Sequence, residues 1–206
     1  MKTKPIQLLP DSEPADSAAG LDFEPLLETE RLGLRELTVA DAGIMLALLT
    51  DERFMRYVGD RGVRTVEEAQ QYLKDGPIDS YRRLGYGLYL AVRKADGLPA
   101  GICGLVKRDA LPDPDLGYAL LPGSRGVGFA REAGEAVVRH ARDVLKLPRL
   151  LAIVTPSNYA SIRILHRLGF RVEGPLRLAP GEPELRLFAC QLQTRAGGFD
   201  SASIRP

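Results

Sequence analysis

The sharpest chemical signal in the chain is Ser124-Arg125-Gly126-Val127-Gly128-Phe129-Ala130. It leaves an apolar run and opens a segment with helical spacing. Its two glycines let a ligand come close to the backbone. The first N–H groups of the helix are unpaired and sit at the positive end of its dipole. That combination binds anions, and diphosphate is the usual occupant. The alternative is a glycine turn that serves strand-to-helix geometry alone. A dinucleotide fingerprint fits poorly. Gly126 and Gly128 supply two of its glycines, but Arg131 stands where the third belongs, and a meander precedes them where a βαβ unit is required. No Gly-Lys-Ser/Thr follows, so a P-loop is excluded. Cys103 reads as an interior strand residue without a histidine partner in sequence context. The two histidines, His140 and His166, join no Cys/His cluster with ligand spacing, so no metal is expected.

The elements that must position this loop alternate along the chain. Arg31–Leu37 reads as a strand, and Thr38 or Asp41 caps a helix carrying Ile44, Met45, Leu48 and Leu49. Thr65 to Glu68 form a capping box for a second helix running toward Tyr81, broken or kinked at Gly76–Pro77. Tyr86–Arg93, Ala100–Lys107 and Asp115–Leu121 read as three strands with short turns, one of them Asp96-Gly97, and so as an antiparallel meander. Arg125–Leu145 is a helix with Ala130, Ala133, Val137, Ala141 and Val144 on one face. Leu150–Thr155 is a buried strand, and Asn158–Leu168 a helix stopped by Gly169. Arg171–Leu178 and Leu185–Gln191 close the pattern as strands. The fold class is α/β, a mixed sheet with helices on both faces.

Composition is that of an ordinary globular chain: 45% of the 206 residues are hydrophobic and 27% charged, which excludes a wholly disordered protein. The net charge of +1 argues against a whole-molecule grip on nucleic acid. Residues 1–30 hold two lysines against seven acids, a net of −5, which leaves +6 on the remainder. A moderately basic body suits a small anionic ligand. Two cysteines and no apolar leader suggest a reduced, cytoplasmic setting, and no run approaches the roughly 20 apolar residues that span a membrane. Residues 1–25, with four prolines, and residues 193–206 read as flexible tails around one domain, 26–192.

Three separated motifs on these elements resemble one family. Leu116–Ala133, with Arg125, Gly126, Gly128 and Ala130, is similar to the Gln/Arg-x-x-Gly-x-Gly/Ala segment of the GCN5-related N-acetyltransferases. Thr155–Phe170 resembles that family's second segment at Asn158, Ser161, Leu165, Gly169 and Phe170. The stretch LLETERLGLREL resembles the opening of the ribosomal-protein-alanine acetyltransferase branch. The resemblance covers about Leu27 to Leu192. It implies a mixed, mostly antiparallel sheet of about seven strands with helices on both faces.

The resemblance also implies chemistry. Acetyl-CoA would be the co-substrate, with its pantetheine arm between two splayed strands, near the backbone of Leu120 and Leu121. Its diphosphate would meet the amides of Gly126, Val127, Gly128, Phe129 and Ala130, with Arg125 adding charge. Asn158 would cap its helix and hold the pantetheine. A primary amine, from a protein N-terminus or a small molecule, would attack the thioester directly in a ternary complex. Asp115 would take the proton, with Asp113 as second candidate. Many relatives place a thiolate-protonating tyrosine where this chain has Leu165. Ser161 is the remaining hydroxyl on the face of that helix toward the gap. Phe54 and Tyr57 would wall the acceptor pocket. No nucleic acid or membrane partner is expected. The alternative function is a non-catalytic acyl-CoA-binding module of the same fold.

Overall fold

The computed structural model describes residues 22–192. The expected tail segments 1–21 and 193–206 lie outside the described residues. The described chain begins with a short hairpin, β1 (Leu27–Glu28) and β2 (Leu32–Glu36). Four helices follow: α1 (Ala42–Leu49), α2 (Glu52–Val58), α3 (Val66–Leu73) and α4 (Asp79–Leu84). A meander comes next, β3 (Leu88–Arg93), β4 (Pro99–Val106) and β5 (Asp115–Leu120). The chain ends with α5 (Phe129–Asp143), β6 (Arg149–Val154), α6 (Tyr159–Arg167), β7 (Arg171–Leu176) and β8 (Leu185–Gln191).

These eight strands form one sheet in the order β1-β2-β3-β4-β5-β6-β8-β7, antiparallel at every step except β5–β6. The sequence led us to expect about seven; the two-residue β1 is too short to show an alternation. The sheet is covered on both faces, and the strands show it by their period of two. Tyr89, Ala91, Cys103 and Leu105 join Ala133, Val137 and Ala141 of α5 and Leu165 of α6 in one core. Leu90, Val92 and Ile102 join Met45, Leu48, Phe54, Ala69 and Leu73 of α1 to α3 in the other. Phe23, in the last residues of the expected tail, packs against this second core, with the Arg35 guanidinium 5.5 Å from its ring.

Two local differences from the sequence reading concern the helices. Phe54, Met55 and Tyr57 lie on α2, a helix absent from the sequence reading. Asp51 caps that helix, its carboxylate accepting from the N–H groups of Arg53 and Phe54 at 3.0 and 3.1 Å. Gly76–Pro77 does not break the second expected helix. Lys74–Ile78 forms a π-turn between α3 and α4, which accommodates the N–H that proline lacks. The Tyr81 hydroxyl then fastens α4 to the sheet, accepting from the Leu37 N–H at 2.9 Å and donating to the Leu88 carbonyl. Among the described residues no helix is long and apolar enough to cross a membrane.

Candidate active site

The site begins where β5 and β6 part. They share one aligned pair, Asp115 with Leu151, and the Leu151 N–H donates to the Pro114 carbonyl at 2.9 Å. Beyond that point β5 stays paired only with β4, and β6 only with β8. The Leu121 N–H donates to Ala100 of β4 at 2.9 Å. By alternation, the amides of Tyr118 and Leu120 therefore turn toward the gap. An edge left open in the middle of a sheet is a place for an extended ligand with amides of its own. Leu121 itself is fully committed, since its carbonyl accepts from the Ser124 N–H at 3.0 Å.

At the mouth of the gap the glycine loop enters α5. Gly126 and Gly128 have φ of 80° and 96°, left-handed values that favour glycine. The first intrahelical bonds run from the N–H groups of Arg131 and Glu132 to the Gly128 carbonyl, both at 3.1 Å. The amides from Gly126 to Ala130 have no acceptor among the described residues. With the helix dipole behind them they form an anion cradle. The β1–β2 hairpin clamps this loop from outside. Arg31 donates to the Val127 carbonyl at 3.0 Å, lies 4.8 Å from the centre of the Phe129 ring, and pairs with Glu132.

α2 spans the mouth. At its start Asp51 pairs with Arg125 Nη2 at 2.5 Å, and Arg125 Nε donates to the Leu120 carbonyl at 3.0 Å. At its end the Tyr57 carbonyl accepts from Thr155, just after β6, at 2.9 Å. Burial raises the Asp51 pKa, but the Arg125 bond and the α2 amides outweigh it and hold the carboxyl below its ordinary value. Arg125 is therefore held by Asp51 and the β5 backbone, on two of its three nitrogens.

Two hollows meet beneath α2, with Phe54, Tyr57, Val58, Tyr118 and Ala119 in the wall they share. The loop-side hollow, about 530 Å³, is lined by Arg53, Arg56, Leu120, Arg125, Gly126, Ala130, Asn158 and Tyr159, and no carboxylate lines it. The helix-side hollow, about 550 Å³, lies against α3, the π-turn and α4. It brings Asp75, Asp79, Asp109 and Asp115 together with Arg61, Arg83, Lys107 and Arg108. One side thus favours anions, while the other sets four carboxylates among four cations, with Asp79 and Asp115 already paired to Arg83 and Arg108.

Asp115 is 2% exposed and accepts from Arg108 Nε at 2.9 Å. Burial raises its pKa, and Arg108 draws it back only in part, so the carboxyl titrates above its ordinary range. Asp113, the second base candidate, lies 3.5 Å from Arg149. Asn158 caps α6 by accepting from the Ser161 N–H at 3.2 Å. Ser161 is not in the wall of either hollow; its carbonyl accepts from the Tyr118 hydroxyl at 3.3 Å. Val127 is exposed, while Phe129 is half-buried under Arg31. Cys103 is fully buried and its thiol is pushed up to about 12 by burial, so it supplies no thiolate.

Tyr118, which reads from sequence as a core residue, packs against the core and also lines both hollows, while its hydroxyl donates to the Ser161 carbonyl. Burial pushes the hydroxyl up to about 12, so it stays protonated, with its O–H on the Ser161 carbonyl. The Gly-Tyr pair at the parting strand is the signal for it. Asp51, Arg53 and Arg56 are likewise absent from the sequence reading. A cap residue followed by Phe54, Tyr57 and Val58 at helical spacing would have found them.

Comparison with known proteins agrees with this geometry. Residues 31–171 match the acetyltransferase (GNAT) domain family. The uncharacterized N-acetyltransferase YoaA of Bacillus subtilis is 30% identical over 158 residues, which span 74% of this chain and 86% of that protein. An acetyltransferase from Agrobacterium tumefaciens superposes with a TM-score of 0.68 at 27% identity, covering 82% of this chain and 96% of its own. The ribosomal L7/L12 alpha-N-protein acetyltransferase RimL, solved in complex with coenzyme A, has the same fold, with a TM-score of 0.68 at 18% identity over 79% of this chain and 95% of its own. The chain belongs to the GNAT acetyltransferase family and is an acyltransferase.

Proposed function

We propose that the protein transfers an acetyl group from acetyl-CoA to a primary amine, by direct attack in a ternary complex, within a domain spanning 26–192. The parting of β5 and β6, with an anion-favouring hollow on one side and a carboxylate-bearing one on the other, carries this reading. Coenzyme A fits the loop-side hollow: free amides from Gly126 to Ala130 suit its diphosphate, and the open edge at Tyr118 and Leu120 suits its pantetheine amides. Asn158 lines the same hollow. The helix-side hollow has the size of an ordinary small-ligand pocket, about 300–1,000 Å³, and takes the acceptor. Its walls include Phe54 and Tyr57.

In this reading the neutral amine attacks the thioester carbonyl at the gap, and a backbone N–H there meets the developing oxyanion. The ammonium proton leaves toward Asp115. Asp115 and Tyr118 are three residues apart, about 10 Å of strand, so the proton travels through water. The departing thiolate accepts a hydrogen bond from Tyr118, whose single O–H turns to it from the Ser161 carbonyl, in the role for which sequence offered only Ser161. A cytoplasmic setting suits the free thiols Cys103 and Cys190.

The test is thiol release from acetyl-CoA across a panel of peptide N-termini, polyamines and small amines. Release that depends on the amine supports the reading. Coenzyme A binding with no turnover on any amine would make the protein a binding module instead.

A further inference from the structure

We propose that Arg53 and Arg56, one turn apart on α2, form an anion clasp that holds a phosphate group of coenzyme A from the side opposite the glycine loop. This rests on the coenzyme A reading above.

The motif arginine leaves that role open. Arg125 was expected to neutralise the diphosphate, but it donates to Asp51 at 2.5 Å and to the Leu120 carbonyl at 3.0 Å. Its charge is balanced within the protein before any ligand arrives. Yet the loop-side hollow still has an unbalanced charge. Arg53 and Arg56 line it, and no aspartate or glutamate does. Neither guanidinium makes a salt bridge or hydrogen bond among the described residues, and the one ring contact is that of Arg56 over its neighbour Tyr57, at 5.3 Å. The contrast with other arginines at the site is sharp. Arg83 and Arg108 are paired with Asp79 and Asp115, and Arg61 and Arg64 donate to Val58 and Asp60.

Two unpaired like charges at i and i+3 on a helix repel one another. An anion between them reverses that cost, and guanidinium forks match phosphate oxygens geometrically. The Asp51–Arg125 pair draws the start of α2 against the loop, so the clasp faces the hollow that Gly126 and Ala130 also line.

The test is the double variant Arg53→Gln/Arg56→Gln, whose substituted side chains are solvent-exposed. Affinity is measured by calorimetric titration with coenzyme A, 3′-dephospho-coenzyme A and pantetheine, at low and high salt. We expect coenzyme A affinity to fall tenfold or more, about 1.4 kcal/mol, with pantetheine unchanged and the loss smaller at high salt. A loss shared by dephospho-coenzyme A assigns the clasp to the diphosphate. A loss seen with coenzyme A alone assigns it to the 3′-phosphate. Unchanged coenzyme A affinity, or an equal loss with pantetheine, overturns the clasp. Wild-type protein that binds no coenzyme A would overturn the functional reading itself, a distinct result.

Discussion

Replacing Glu132 with alanine removes the acceptor on which the hairpin-to-loop clamp converges. Thr29 Oγ1 donates to its carboxylate at 2.6 Å, the Arg31 N–H at 2.9 Å and Arg31 Nε at 2.7 Å, while Arg31 Nη2 lies 2.5 Å away. Hydrogen bonds to a charged acceptor contribute about 1.5–3 kcal/mol each when shielded. The Arg31 side chain is 45% exposed, so water replaces most of what its guanidinium loses. The Thr29 and Arg31 N–H contacts then dominate, for a loss of about 2–3 kcal/mol. For a chain of this size that lowers Tm by about 5–10 °C. Glu132→Gln, which keeps an acceptor but no charge, should fall between.

The pH dependence has a definite sign. Burial raises the Glu132 pKa, but the Thr29 and Arg31 bonds outweigh it and hold it below its ordinary 4.5. A depressed carboxyl stabilises the fold above its unfolded value and loses that contribution as pH falls through the folded one. The Tm gap between wild type and Glu132→Ala should be full at pH 7 and narrow below about 4.5. Calorimetric scans across pH decide the matter. A variant melting within a degree or two of wild type, or a gap indifferent to pH, would refute the clamp.

Asp115→Asn should lower kcat/KM for the amine by about 10²–10⁴-fold and leave coenzyme A affinity nearly unchanged. Its deficit in a pH–rate profile should shrink as pH rises and more amine arrives neutral; a wild-type profile would remove Asp115 as base. Tyr118→Phe should lower kcat by about 10–100-fold, the worth of one hydrogen bond to a charged sulfur; unchanged kcat with chemistry rate-limiting would leave the phenol as wall only. Gly128→Val should weaken coenzyme A binding at least tenfold, or about 1.4 kcal/mol. Its Cβ would sit 3.3 Å from Arg31 Nη2 on a backbone at φ 96°, so calorimetric titration showing unchanged affinity would displace the anion cradle.

What the sequence revealed were local features. The glycine loop, the Asn158 cap, the Thr65–Glu68 capping box and the meander each follow from neighbours within a few residues. What it hid were contacts between distant residues. Arg125 and Asp51 are 74 positions apart, so nothing in Ser-Arg-Gly foretells that the arginine is already paired. Tyr118 has the alternation of any core tyrosine, and only the parting of β5 from β6 puts it in the wall of the site. α2 escaped because its seven residues mix arginine, glutamate and aromatics, and the apolar period scarcely completes two turns. Its cap, Asp51, was the readable sign.

The two tethers of α2 set a dimension. Asp51 and Tyr57 are six residues apart, about 9 Å along a helix at 1.5 Å per residue. A sheet with one strand left out measures about 9.6 Å between the neighbours that remain, two spacings of about 4.8 Å. One tether leads through Arg125 to the end of β5, the other through Thr155 to the end of β6. The helix is thus of about the length that one omitted strand takes, and it bridges the ends of the two strands that part. Both tethers form within the protein, so the bridge stands before a ligand arrives. The entropy of ordering that bridge is lost when the protein folds rather than when the ligand binds.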